Sequence, residues 1–228
     1  MKFVVIEGLD GSGKSTQLNL LKEYLEKKDI KYKYLHFPRT DSPVFGELVA
    51  MFLRGDLGDI DEVHPYIAAM LYAGDRNDAK GQINDWLENN YLVVVDRYVY
   101  SNIAYQCAKM PDEQEKDKLR SWILKVEYEY FKIPKPDINI FLDVPFGFVK
   151  ERLAGIRTGD DRKYLDGKKD IHEKDVSFQE KVRREYLQAV KTDPGLKLIN
   201  CTDENNEILQ PESIISKILL LLNKSQII

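Results

Sequence analysis

Short strand-like runs along this chain are separated by longer stretches with a helical period. The runs are Lys2–Glu7, Lys31–Phe37, Tyr91–Asp96, Asp137–Asp143 and Leu196–Asn200. The third, YLVVVD, has no polar alternation, as expected of a strand covered on both faces in a parallel sheet. Between the runs the spacing changes. Leu18, Leu21 and Leu25 follow an i, i+3, i+7 stripe, which predicts a helix after the first strand. Ser42-Pro43 reads as an N-cap followed by proline at the first helical position. The segment IPKPD at 133–137 ends a long helix and introduces the fourth strand. Strand and helix alternating along the whole chain predict a doubly wound α/β fold, whose ligands gather at the carboxyl ends of the strands. Those ends carry Glu7, Phe37, Asp96 and Asp143.

Composition narrows the classes. The 228 residues suit a single domain, 1–228, with room for an inserted lid. The balance of 43% hydrophobic and 32% charged residues is ordinary for a globular chain. A net charge of −4 argues against a nucleic-acid partner, which would need a basic face. The longest apolar run, at 214–222, is interrupted by Ser216 and Lys217 and is too short to span a bilayer, so no membrane association is expected. Cys107 and Cys201 have no metal-ligand spacing and read as reduced thiols. A strand starting at Lys2 leaves no room for a signal peptide, and the expected location is the cytoplasm.

The densest chemistry lies in EGLDGSGKST. Gly8 to Ser15 fits G-x-x-x-x-G-K-[ST], with a strand before it and a helix after it. Glycines let successive backbone N–H groups turn toward one anion, and the first helical turn adds its own free N–H groups. Gly8, Gly11, Ser12, Gly13, Lys14, Ser15 and Thr16 are therefore the candidate nucleotide-phosphate site. Lys14, expected as an exposed loop lysine, reaches the outer phosphates, and the Ser15 hydroxyl is placed to ligate Mg²⁺. A GTPase would need Asn-Lys-x-Asp, but the only Asn-Lys is Asn223-Lys224, which lacks the aspartate. Short P-loop proteins that move phosphate to a small acceptor remain. Arg39, just past the second strand, and Arg97, just past the third, are candidate phosphate grips. Asp96 stands where such enzymes place a Mg²⁺-linked acid. Tyr72 and Arg76 share a helix face at i, i+4, although Tyr72 and Tyr105 also read as core aromatics.

These residues resemble the thymidylate kinases, P-loop enzymes that convert dTMP and ATP to dTDP and ADP. The resemblance rests on EGLDGSGKST, FPR, AGDR, DRYVYSNIAYQ, PKPD and SFQEKVRREYL, and covers nearly the whole chain. It implies a P-loop NTPase fold with a five-stranded parallel sheet ordered 2-3-1-4-5. It implies that Asp10 approaches the 3′-hydroxyl side of the sugar and that Arg39 and Arg97 grip the dTMP phosphate beside Phe37. Tyr72 would stack on thymine, Arg76 would bond its O4, Ser101 and Asn102 would lie at the base edge, and Tyr105 would lie against C2′. Mg²⁺ would be held by Ser15 and Asp96, directly or through water, and the enzyme would be a homodimer. The polar stretch at about 156–174 resembles the lid. Gly11 stands where some thymidylate kinases carry a basic P-loop residue, which points to lid arginines, Arg157 and Arg162, joining Lys14, Asp10 and Arg97 in catalysis, with His172 as an outsider. The alternatives are another nucleoside monophosphate kinase, a deoxynucleoside kinase using Glu7 as base on a 5′-hydroxyl, and a nucleotide-binding module without turnover.

Overall fold

The computed structural model describes residues 2–155, 164–168, 170–173 and 175–228. Five parallel strands are present: β1 (Lys2–Glu7), β2 (Tyr32–His36), β3 (Leu92–Asp96), β4 (Ile138–Asp143) and β5 (Leu196–Asn200). Their order in the sheet is β2-β3-β1-β4-β5, as the sequence resemblance implies. The first strand pairs Val4 with Val94 on one side and with Ile138 on the other. Phe3, Val4, Val5, Ile6, Val93, Val94 and Val95 are all buried, which is what the unbroken apolar runs require of a strand covered on both faces.

The helices are α1 (Lys14–Lys27), α2 (Phe45–Leu53), α3 (Pro65–Glu88), α4 (Val99–Cys107), α5 (Glu113–Leu124), α6 (Phe146–Ala154), α7 (Val176–Thr192) and α8 (Pro211–Lys224). Helix α1 presents Leu18, Leu21 and Leu25 to the core, along the expected stripe. Helix α4 packs among α3, α5 and α7, and α1 packs on α8.

Two local expectations differ from what is found. Helix α2 starts at Phe45, after Val44, and not at Pro43. Ser42 is held elsewhere: its N–H bonds the Arg39 carbonyl at 2.8 Å and its hydroxyl reaches Asp75 Oδ1 at 3.3 Å. The long helix before IPKPD does not run on as a regular α-helix. After Leu124 it widens into a π-helical turn, Lys125–Tyr130, which carries the buried Glu127.

Candidate active site

After Glu7 the chain leaves the sheet and turns through Gly8–Gly13 into α1. Gly11 and Gly13 hold φ of +75° and +82°, a region that strains any residue with a Cβ. A Cβ on Gly11 would also meet Arg152 at 3.2 Å. The first turn of α1 lies directly behind this loop. Lys14 is not the exposed lysine expected. It is 7% exposed, and its Nζ donates to the carbonyls of Gly8 at 3.1 Å and Leu9 at 2.8 Å. Burial, followed by the nearby Arg97 charge, pushes its pKa down to about 8, against the pull of Asp96, Asp10 and Glu7.

Arg97 follows β3 and crosses to the loop. Its backbone N–H bonds the Ile6 carbonyl at 3.0 Å, and its Nη2 meets Asp10 Oδ1 at 2.6 Å. Its guanidinium lies over the Tyr105 ring, 5.2 Å from the centroid. Tyr105 Oη donates to Asp10 Oδ2 at 2.8 Å, and Gln179 Nε2 donates to the same oxygen at 3.0 Å. Burial works to raise the Asp10 pKa, but Arg97, Lys14 and the Tyr105 hydroxyl outweigh it and hold the carboxylate ionised well below its usual range.

Glu7 does not stand free at its strand end. It is fully buried and accepts from Tyr98 N (2.9 Å), Ser101 N (3.3 Å), Ser101 Oγ (2.5 Å) and Tyr186 Oη (2.9 Å). Burial raises its pKa against these hydrogen bonds and the Arg97 charge. It ties the start of α4 and α7 to the sheet and does not line the cavity described below. The base role considered for it has no geometric support.

Arg76 and Asn102 meet around Glu127. Arg76 Nε and Nη2 each reach a Glu127 oxygen at 2.6 Å, while Asn102 Nδ2 donates to Glu127 Oε1 and to the Ala69 carbonyl, both at 3.0 Å. Burial would lower the Arg76 pKa, and Glu127 more than reverses it. Asn102 Oδ1 is buried without a hydrogen-bond partner among the described residues. Tyr72, one turn before Arg76 on α3, packs edge-on to Phe52 at 6.2 Å. It belongs to a small apolar cluster and also lines the cavity, so the core and site readings of this residue are both realised in space.

Arg39 is anchored by the same turn of α3. Its Nε meets Asp75 Oδ1 at 2.9 Å, its Nη2 meets the Asp75 carbonyl at 2.9 Å and Asp78 Oδ2 at 2.5 Å, and its backbone N–H bonds Asp75 Oδ2 at 2.8 Å. In the AGDR segment, then, Asp75 orients one arginine and Arg76 is oriented by another acid.

Asp96 Oδ2 lies 3.1 Å from His36 Nδ1, and its Oδ1 is buried with no hydrogen-bond partner among the described residues. Burial opposes its ionisation, but His36, Lys14 and Arg97 hold its pKa below the ordinary value. An ionised oxygen without a donor, in a cavity shared with the Ser15 hydroxyl, is a hard-oxygen set that fits Mg²⁺.

Arg157 and Arg162 lie outside the described residues, as do the other residues at 156–163. Within the later part of the expected lid, residues 164–168 and 170–173 are described and pack against the end of α2 and the turn after it. Ile171 N donates to the Leu53 carbonyl at 3.0 Å, Arg54 Nη1 to the Tyr164 carbonyl at 2.8 Å, and Lys168 pairs with Asp56 at 2.5 Å. Asp170 and His172 are buried here. His172 lies 5.0 Å from the Tyr105 ring and 5.6 Å from Phe178. Burial, then Lys109, keeps its pKa well below the usual value, so at neutral pH it is uncharged and supplies no cation. Burial, then the Asp10 charge, pushes Asp170 up to about 7.

A single cavity of about 1140 Å³ is lined by residues 10–16 of the loop, Phe37, Arg39, Tyr72, Arg76, Asp96, Arg97, Ser101, Asn102, Tyr105, Asp170 and His172. It thus brings together every described site residue read from the sequence except Gly8, whose carbonyl instead holds Lys14. Gln179, Glu127 and Asp170 were missed. Glu127 carried a signal: it falls four residues after the buried Ile123, on an apolar helix phase. Gln179 sat within a segment that matched as a block and gave no sign of its long-range partner.

Strand order, glycine loop and cavity at the strand ends define a P-loop NTPase fold built to hold a nucleotide. The thymidylate kinase family model matches residues 6–211. A probable thymidylate kinase of Pyrococcus horikoshii is 33% identical over 207 residues, covering 90% of this chain and 91% of its own. One from Thermococcus kodakarensis is 35% identical over 89% of this chain and 90% of its own, and the Mycobacterium tuberculosis thymidylate kinase is 30% identical over 81% and 84%. The solved thymidylate kinase of Candida albicans superposes with a TM-score of 0.72 over 99% of this chain and 92% of its own; at 24% identity this likeness concerns the fold. The chain belongs to the thymidylate kinase family: it is an ATP:dTMP phosphotransferase.

Proposed function

We propose that the cavity takes dTMP and ATP together and that the residues named above divide the two between them. The observation that carries this reading is the single cavity lined both by the phosphate loop, 10–16, and by the Arg76–Asn102–Tyr72 group. The loop N–H groups and Lys14 receive the ATP phosphates, and Lys14 exchanges its two carbonyl partners for phosphate oxygens. Arg97, with Arg39 on its Asp75 anchor, receives the dTMP phosphate. Tyr72 offers a flat apolar face to the base, and Arg76 and Asn102 face its polar edge. Asp10, ionised and held by Arg97, Tyr105 and Gln179, accepts from the 3′-hydroxyl.

An oxygen of the dTMP phosphate attacks the γ-phosphorus of ATP. The bond to the bridging oxygen breaks and its electrons remain on ADP. The acceptor is already an anion, so no general base is needed, and the contribution of the chain is alignment and charge neutralisation. Ser15 and Asp96 are the residues that would hold Mg²⁺, which when bound offsets charge on the phosphate oxygens. Arg157 and Arg162 are the proposed lid cations. Asp170 and His172 are buried and line the cavity, which supports reading their segment as part of a lid. The resemblance also supports a homodimer, which sizing chromatography checks, and the two free cysteines support a cytoplasmic location.

The test is a coupled assay with ATP, Mg²⁺ and either dTMP or thymidine. Product from dTMP and none from thymidine is expected, and the reverse would restore the deoxynucleoside kinase alternative. Arg157→Ala, Arg162→Ala and the double variant follow. A loss in kcat that far exceeds any change in substrate affinity supports a lid cation acting in the transition state. Near wild-type kcat in all three variants removes it.

A further inference from the structure

Glu127 touches neither the loop nor the cavity, yet it meets both groups assigned to the base. It lies on the π-helical turn Lys125–Tyr130, fully buried, with one oxygen on Arg76 Nε and the other shared between Arg76 Nη2 and Asn102 Nδ2. An ionised carboxylate only accepts hydrogen bonds, as does the Ala69 carbonyl that takes the second Asn102 bond. The Asn102 side chain therefore has one orientation available: both hydrogens of Nδ2 face acceptors, and Oδ1 is left over, buried and without a partner among the described residues. The same carboxylate occupies two of the three guanidinium nitrogens of Arg76, leaving Nη1. Both residues line the cavity.

We propose that Glu127 is a positioning residue that sets which pyrimidine the site accepts, by locking Arg76 as a donor and Asn102 as an acceptor toward the base. This rests on the proposed assignment of Arg76 and Asn102 to the base edge. A donor beside an acceptor matches a pyrimidine with a carbonyl at C4 and a hydrogen on N3. A 4-amino pyrimidine presents the opposite pattern, a donor at C4 and an acceptor at N3, and would leave both protein groups unpaired or opposed. Glutamine at 127 breaks the lock without changing its size. Its amide can donate to Asn102 Oδ1 after the Asn102 side chain turns over, and it no longer carries the charge that aligns Arg76.

The experiment compares kcat/KM for dTMP and dCMP in the wild type, Glu127→Gln and Glu127→Asp. The expected result is a fall in the dTMP:dCMP ratio of about 10-fold or more in Glu127→Gln, carried by KM for dTMP, with KM for ATP changed by less than about twofold. Aspartate keeps the charge on a shorter arm that cannot reach both partners, and an intermediate ratio is expected. An unchanged ratio in a folded Glu127→Gln enzyme that still phosphorylates dTMP overturns the role of Glu127 alone. A wild type that does not discriminate dTMP from dCMP overturns the base-edge assignment and this inference with it. If the variants do not fold, NMR of the wild type decides. The Asn102 side-chain amide, identified by its loss in Asn102→Asp, is expected to be protected from solvent exchange in the nucleotide-free protein; rapid exchange overturns the proposal.

Discussion

Arg97 and Asp10 bridge two loops of the sheet: the guanidinium of the residue after β3 sits 2.6 Å from the carboxylate of the loop after β1. The bridge depends on an unusual backbone. Arg97 has φ of +66°, in the left-handed region that a side chain disfavours, and its N–H is fixed on the Ile6 carbonyl. This turn sends the side chain back across β1 to the phosphate loop. The left-handed backbone at this position thus belongs to the residue proposed to grip the acceptor phosphate.

The strain predicts an inverted order of stability at position 97. Arg97→Ala and Arg97→Gly both delete the guanidinium and should both abolish phosphoryl transfer. The glycine variant should nevertheless be the more stable of the two, by about 1 kcal/mol, because it alone adopts positive φ without penalty. Urea denaturation of the two variants checks this. Alanine at least as stable as glycine would mean that the backbone relaxes once the side chain is gone.

Lys14 yields a pH dependence. Its pKa in the nucleotide-free protein is lowered to about 8, chiefly by burial. A lysine must be protonated to receive phosphate, so kcat/KM for ATP should fall as pH rises through about 8, since this parameter reports the free enzyme. Arginine does not titrate in this range, and Lys14→Arg should be slower throughout but flat across the same interval. A wild-type profile that stays level to about pH 10 contradicts the assignment.

Tyr105 separates ring from hydroxyl. Its ring lies beneath the Arg97 guanidinium and its hydroxyl bonds Asp10. Tyr105→Phe should retain preference for dTMP over its 2′-hydroxyl analogue while weakening dTMP binding, because Asp10 loses one donor. Tyr105→Ala should narrow the preference as well, since the surface proposed against C2′ is gone. Equal kcat/KM ratios in the wild type and Tyr105→Ala would leave Tyr105 as packing around Arg97.

The parts of this enzyme legible in its sequence are those whose signals are local. The Val93–Val95 run is a buried strand because each residue is apolar on both faces. The glycine loop is legible because turn, anion nest and helix start lie within nine residues, 8–16. What escaped depends on pairing across the chain. Ser42 reads as a cap until Arg39 and Asp75 are beside it. Lys14 reads as exposed until the loop carbonyls are seen to receive it. Glu127 and Arg76 are 51 residues apart, and Gln179 and Asp10 are 169 apart, so neither pair leaves a spacing to detect. Glu7 shows the converse: a strand-end acid in a catalytic position, withdrawn from chemistry by Ser101 and Tyr186.

Asp170 yields the last prediction, about closure of the described lid segment on α2. Its carboxyl is buried, hydrogen-bonded to Tyr164 Oη and His172 N at 2.8 Å each, and has its pKa raised from 3.8 to about 7 by burial and then by the Asp10 charge. A carboxyl with a raised pKa binds its proton more tightly when packed than when released. The packed segment is therefore favoured at low pH, and that advantage is lost as pH rises from about 4 through about 7. Ile171 reports this directly, because its N–H is donated to Leu53 of α2. Its amide protection, corrected for intrinsic exchange, should fall between about pH 4 and about pH 7 in the nucleotide-free protein and level off above that. Asp170→Asn mimics the neutral acid and keeps an acceptor for His172 N, so its protection should stay level and exceed the wild type at the upper end. Parallel profiles in the two proteins would mean that Asp170 ionises without moving the segment.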